Sequence, residues 1–301
     1  MECKEKKMSV PAAYLGIVLI WSTTPLAIKW SSVGAGFLFA VTARMALGTL
    51  LCLLLLWLLR IDLPWHRDAR RAYVAAALGM YGALMSTYWG AQQIPSGLIS
   101  VLYGLTPLFT GVMAAWWLNE RSLSPLRVVG VVLGIAGLAL IFVAGRTLEH
   151  IAWQGIVAVL FGVLLQAASA IWVKRTGAAL HPMALNGGAL LLALIAYLLT
   201  WGLFDGEWPE QIDQRSAGAI AYLGILGTVV GFNLYFFVLK RLSAGTISVI
   251  TLITPVLALL LGNWINDESV DARVWQGTAC ILFGLLLYQW GGPVLRFLRR
   301  R

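Results

Sequence analysis

Residues 97–120 read GLISVLYGLTPLFTGVMAAWWLNE, and residues 245–268 read GTISVITLITPVLALLLGNWINDE. At an offset of 148, Ser100-Val101, Thr106-Pro107 and Asn119-Glu120 return as Ser248-Val249, Thr254-Pro255 and Asp267-Glu268, while Gly97-x-Ile99 returns as Gly245-x-Ile247. Each copy is dominated by an apolar run of about twenty residues, the length of a helix that crosses a bilayer. After one deletion, Gly130 and Gly137 align with Gly277 and Gly284. The chain is therefore two copies of one unit, and the number of spans per unit decides how the copies face each other.

Working outward, the same ruler gives ten apolar segments: 10–30, 37–59, 72–93, 96–119, 125–144, 151–173, 182–204, 216–239, 243–266 and 272–290. They account for a composition of 60% hydrophobic and 12% charged residues over 301 positions, against about 45–50% and about 25% in soluble domains. An ordinary soluble enzyme is excluded. The expected organisation is a short tail (1–9), a first five-span repeat (10–145), a second (146–292) and a basic tail (293–301). Five is odd, so the repeats enter the membrane in opposite directions, the inverted arrangement of many secondary transporters. The fold expected is an all-α membrane protein of ten transmembrane helices built as two inverted five-helix repeats.

The charge supports this. Lys and Arg number 22 and Asp and Glu 13, a net charge of +9. Seventeen of the basic residues fall on alternate ends of the spans: Lys4, Lys6, Lys7, Arg60, Arg67, Arg70, Arg71, Arg121, Arg127, Lys174, Arg175, Lys240, Arg241, Arg296, Arg299, Arg300 and Arg301. Only Lys29, Arg146, Arg215 and Arg273 lie on the other side, with Arg44 inside a span. Positive residues stay in the cytoplasm, so both termini are expected there, in a bacterial inner membrane, with Asp205, Glu207, Glu210 and Asp213 outside. No basic groove interleaved with aromatics points to nucleic acid. The segment 10–30 exceeds a signal-peptide core and lacks a clean cleavage site, so it is expected to be retained. Cys3, Cys52 and Cys280 are too scattered for disulfides or zinc, and no metal or cofactor is expected.

The stretch Trp21-Ser22-Thr23-Thr24-Pro25-Leu26-Ala27-Ile28-Lys29 resembles the first-helix signature of the EamA family in the drug/metabolite transporter superfamily, with Ser22 where glycine is common. Pro95-Ser96-Gly97 through Thr106-Pro107 to Asn119-Glu120, followed by the glycine-rich fifth helix, is similar to the end of one EamA repeat, and the second half copies it. The resemblance covers essentially the whole chain. It implies a central cavity between helices 1–4 and 6–9, with helices 5 and 10 peripheral.

Several residues are candidates for transport chemistry. Pro107 and Pro255 each sit about eleven residues into a span, and proline deprives the carbonyl four residues earlier of its donor, here Tyr103 and Thr251. With Pro25 they are candidate hinges; the alternative is a passive kink whose carbonyls are satisfied by neighbouring Thr hydroxyls. Arg44 is the one charge well inside a span, where Arg costs about 2.5–3.5 kcal/mol on insertion scales. It is either a structural residue tied to carbonyls or the receptor of a substrate carboxylate. Trp21, Tyr81, Met85, Tyr88, Tyr103, Gln166, Trp172, Asn186, Asn233 and Tyr235 are polar or amphipathic groups within spans, set either to meet substrate or to pack helices. Glu120 and Glu268 end their spans within reach of water, which suits helix-end locking better than proton carriage. No Asp or Glu lies inside a span, so the usual proton relay is missing. Gly130, Gly134 and Gly137 form a small-residue stripe for close helix contact, within the chain or between protomers of a homodimer.

Rival functions lack their chemistry. His66, His150 and His181 lie in loops or at span ends, so no catalytic constellation forms in the apolar runs and no enzyme is expected. No filter-like segment marks a channel. The expectation is an alternating-access exporter of a small metabolite, with neutral or aromatic amino acids as leading cargo; import or exchange of another small organic solute is the alternative. Its partners are the small-molecule substrate and membrane lipid.

Overall fold

The computed structural model describes residues 9–117, 125–147, 152–239, 250–268 and 270–298. Every regular element among them is helical: α1 (Val10–Ser32), α2 (Phe37–Leu58), α3 (Arg67–Leu78), a π-helical turn (Gly79–Ala83), α4 (Leu84–Ala91), α5 (Ser96–Tyr103), α6 (Thr106–Trp117), α7 (Pro125–Thr147), α8 (Trp153–Thr176), α9 (Pro182–Phe204), α10 (Gln214–Tyr222), a second π-helical segment (Leu223–Val230), α11 (Gly231–Leu239), α12 (Ile250–Asn266) and α13 (Ala272–Leu298). Among the described residues, six helical runs are long and apolar enough to cross a membrane: Val10–Ser32, Phe37–Leu58, Ser96–Ala114, Trp153–Thr176, Pro182–Phe204 and Gln214–Tyr235. Pro125–Ile141, Ile253–Asn266 and Ala272–Tyr288 are shorter apolar stretches. Glu120, and with it the end of the first copy of the repeated motif, lies outside the described residues.

Local chemistry sets the helix ends. The Ser9 side chain accepts from Ala12 N to start α1, and Gly34 and Gly36, at φ +76° and +75°, reverse the chain between α1 and α2 in a conformation that costs other residues energy. Imidazoles do the capping at α3 and α9, where His66 Nδ1 accepts from Ala69 N and His181 Nδ1 from Met183 N. Asp213 caps α10, and hydrogen bonds from the Ser216 side chain and from the Ser216 and Arg215 amides hold its carboxyl below the ordinary value.

The packing pairs elements crosswise between the two halves. α1 lies against α10, α11 and α12, and α8 lies against α3, α4, α5 and α6. α2 meets α9 and the second π segment, and α9 meets α3 and the first. α5 meets α12. α7 and α13 pack chiefly on each other and only slightly on the rest. Their seam is backbone on backbone: a Cβ on Gly130 would sit 2.4 Å from the Gly284 carbonyl, and one on Gly137 2.5 Å from the Gly277 carbonyl. The glycine stripe is thus used inside the chain.

Pro107 falls where the helix is interrupted. α5 stops at Tyr103 and α6 starts at Thr106, whose hydroxyl donates to the Tyr103 carbonyl at 2.6 Å. The oxygen orphaned by proline is satisfied by a neighbouring threonine. Pro25 and Pro255, in contrast, lie inside unbroken helices.

Candidate functional site

Arg44 stands at the junction of the halves. Only 2% exposed, it projects from α2, its Nε donates to Thr228 Oγ1 at 3.0 Å and its Nη1 to the Tyr88 hydroxyl at 3.4 Å, with the guanidinium 5.9 Å from the Tyr88 ring centroid. A Cβ on Gly227 would sit 3.3 Å from Nη2, so glycine leaves space beside the charge. Among the described residues, the salt bridges are Lys29–Glu268 and Arg71–Asp68, and no carboxylate pairs with Arg44. Asn186, fully buried on α9, reaches the same threonine: its Nδ2 is 3.5 Å from the Thr228 carbonyl.

Tyrosines surround this pair. Tyr197 is buried within electrostatic reach of Arg44, Tyr88, Tyr81 and Tyr103. Its hydroxyl donates between the carbonyls of Met80 and Tyr81, 3.0 Å from each. Tyr81 stacks edge-on against it, centroids 4.9 Å apart, and shares a hydrogen bond of 2.7 Å with Thr200. Tyr103 shares one of 2.8 Å with Thr87. Helical spacing suggests that Tyr81, Met85 and Tyr88 share one face. The π turn at Gly79–Ala83 interrupts that helix: Tyr81, within it, bonds to Thr200 of α9, and Tyr88, beyond it, bonds to Arg44. π turns recur at functional sites because they free carbonyls and re-aim side chains. Ser169 of α8 takes the Ala75 carbonyl at 2.7 Å just ahead of that turn, and a Cβ on Gly79 would sit 2.9 Å from Gln166 Oε1.

The other candidates have partners of their own. Trp21 stacks on Tyr235 (5.1 Å between centroids) and edge-on to Phe232, joining α1 to α11. The Asn233 amide donates to Val229 of its own helical run at 2.7 Å. Trp172 is 42% exposed near the end of α8 and is not among the Arg44 contacts.

Glu268 belongs to a second cluster, at the end of the bundle where α1 finishes. Its Oε2 accepts from Ser96 N and Ser96 Oγ, both at 2.8 Å, and its Oε1 accepts from Asn266 Nδ2 at 2.9 Å and pairs with Lys29 Nζ at 3.4 Å. Asn266 Oδ1 in turn accepts from Trp30 Nε1 at 2.8 Å and from Arg215 at 3.4 Å, and the Arg215 guanidinium lies 3.9 Å over the Trp30 ring. One carboxylate therefore ties together the ends of α1, α5 and α12, with α10 alongside.

Sequence reasoning finds Arg44, Tyr88 and Asn186 but misses Thr228, Tyr197 and Ser96. Tyr197 answers to the same rule as Asn186, a polar group in mid-span. Thr228 is signalled only by its setting among Gly224, Gly227 and Gly231, where the helix widens.

Comparison with known proteins agrees with this architecture. The EamA-like transporter family matches residues 10–143 and 153–289. A transporter named YoaV from Bacillus subtilis (strain 168) is 25% identical over 285 residues, covering 93% of this chain and 96% of its own. An inner membrane transporter named YedA from Escherichia coli (strain K12) is 25% identical, covering 93% and 90%. A protein from Streptantibioticus cattleyicolor described as a probable terminal-alkyne amino-acid exporter is 24% identical, covering 83% of each chain. A crystal structure shares the fold at a TM-score of 0.68, with 20% identity, over 95% of this chain and 98% of the other. Two matches of one family profile, one in each half of the chain, make this protein a member of the EamA-like transporter family.

Proposed function

We propose that the chain is an alternating-access carrier of ten transmembrane helices in two inverted five-helix halves, with both termini in the cytoplasm of a bacterium, exporting neutral or aromatic amino acids or related small metabolites across the inner membrane. The observation that carries this reading is the contact of Arg44, in the first half, with Thr228 and through it Asn186, in the second. A polar site built by both halves changes its access when they rock against each other. The crosswise packing supports the inverted relation: the repeat maps Gly130 onto Gly277 and Gly137 onto Gly284, and the close pairs are Gly130 with Gly284 and Gly137 with Gly277, each the image of the other. The helix break before Pro107 serves as a hinge, with Pro25 and Pro255 as softer points of bending. Glu268 is the lock at the outer end, and Glu120 its counterpart by the repeat. The amino-acid relative supports the cargo class.

The test is counterflow. Purified protein in liposomes preloaded with unlabelled amino acids should take up the same labelled amino acid saturably and faster than from empty liposomes. Unsaturable current would mark a channel, and no flux of any solute would overturn the carrier reading.

A further inference from the structure

Two groups in the interior are left wanting opposite partners. A guanidinium carries five N–H donors and a full positive charge; Arg44 commits donors to Thr228 and Tyr88 and, among the described residues, meets no carboxylate. Asn186 is 0% exposed, and its Oδ1 accepts no hydrogen bond. The one other buried side-chain polar atom without a partner among the described residues is Trp201 Nε1, in an aromatic cluster with Phe39 and Trp208. An unpaired buried cation calls for an anion, and an unpaired buried carbonyl calls for a donor. Arg44 and Asn186 sit on one residue, Thr228, through its hydroxyl and its carbonyl respectively. An α-amino acid carries both an anion and a strong donor on a single carbon.

We propose that Arg44 and Asn186 form a two-point clamp for the head group of an α-amino acid, the carboxylate on the Arg44 guanidinium and the ammonium on Asn186 Oδ1, with Thr228 holding both receptors. The clamp deepens the carrier reading above and rests on it. It fixes the head group and leaves the side chain to Tyr88 and Tyr103. A carboxylic acid without the ammonium satisfies Arg44 but leaves the Asn186 carbonyl unpaired. An amine without the carboxylate leaves the cation unpaired and adds a second positive charge. Affinity therefore ranks zwitterion first, carboxylate alone second and amine alone last, with each step at least about tenfold, the usual effect of leaving a buried partner unmade.

The experiment compares two sets that share a side chain: L-phenylalanine, 3-phenylpropanoate and phenethylamine, and L-leucine, 4-methylpentanoate and isoamylamine. Each is tested as a competitor of amino-acid counterflow and by thermal shift of the purified full-length protein. The expected result is the ranking above in at least one set. In Asn186→Leu the amino acid should bind no better than its carboxylate-only analogue, whereas a merely structural asparagine would weaken both alike and keep the ranking. Equal binding of the amino acid and the carboxylate in the wild-type protein overturns the clamp. So does counterflow of some other solute with no response to any of the six probes, and in both cases the carrier reading stands. Absence of saturable flux for every solute overturns the carrier reading itself.

Discussion

Replacing Glu268 by glutamine tests the proposed lock directly. The carboxylate accepts four hydrogen bonds, two from Ser96, one from Asn266 and one, at 3.4 Å, from the Lys29 ammonium. Glutamine keeps one oxygen, enough for Ser96, but turns an NH2 group toward the Asn266 amide and the Lys29 ammonium, setting donor against donors. The bonds from Asn266 and Lys29 are lost and the two from Ser96 lose their charge assistance, which together weakens the cluster by about 2 kcal/mol, on the basis of about 1.5–3 kcal/mol for a bond to a charged group. The low end applies because the Lys29 side chain is 30% exposed, so solvent screens the ion pair. Each ~1.4 kcal/mol is a factor of ten, so opening of the ends of α5 and α12 should become about thirtyfold more frequent. The Ser96 amide donates straight to the carboxylate, so hydrogen–deuterium exchange over residues 96–99 reads the change. Exchange should rise there and in the loop at 267–268 and stay unchanged along α7. If it does not rise at Ser96, the cluster is not a lock, whatever the variant does to flux.

Four further outcomes follow. Gly130→Val drives a methine carbon into the Gly284 carbonyl and should destabilise by at least the 1–3 kcal/mol typical of overpacking, seen as a lower Tm in detergent. Gly202→Ala, with nothing within 4 Å of the added carbon, should leave Tm unchanged or raise it slightly. Thr106→Val strips the Tyr103 carbonyl of its hydroxyl donor and should cost about 1–3 kcal/mol, again by thermal unfolding, with Thr106→Ser recovering most of it. Asp213 has a lowered carboxyl value in the folded state, so its cap stabilises fully above the unfolded carboxylate value and is lost as pH falls through the folded one. The wild-type protein should lose exchange protection at the start of α10 on acidification, and Asp213→Ala should show that loss at neutral pH with no further change.

The repeat, the apolar lengths and the glycine stripe were legible because they are local patterns: two glycines seven apart on a helix face a neighbour whatever that neighbour is. Whether the stripe met a neighbour in the same chain or in a second copy was not legible. Arg44 could be singled out because charge in an apolar run has no cheap explanation. Its partner could not, since Thr228 is 184 residues away and is presented by a π segment, whose wider turn leaves no periodic signature. Asn233 looked promising from composition alone, yet an amide in a helix can satisfy itself on the carbonyl one turn back. The Glu268 cluster was half legible, because a carboxylate at a helix end is visible in sequence, but the other two helix ends that it joins are not.

The glycine seam between α7 and α13 has a consequence for how such a protein diversifies. Backbone meets backbone there, with Ile141 and Ile281 packed alongside, so the spacing of the two helices is set by glycines that leave no room for a side chain of their own. Arg44, Asn186 and the tyrosines around them lie on other helices. Under the proposed clamp, changes of cargo can accumulate around the guanidinium without disturbing the framework, and the framework in turn admits almost no substitution along its seam. A designer wishing to retune specificity has a fixed keel and a separable hold.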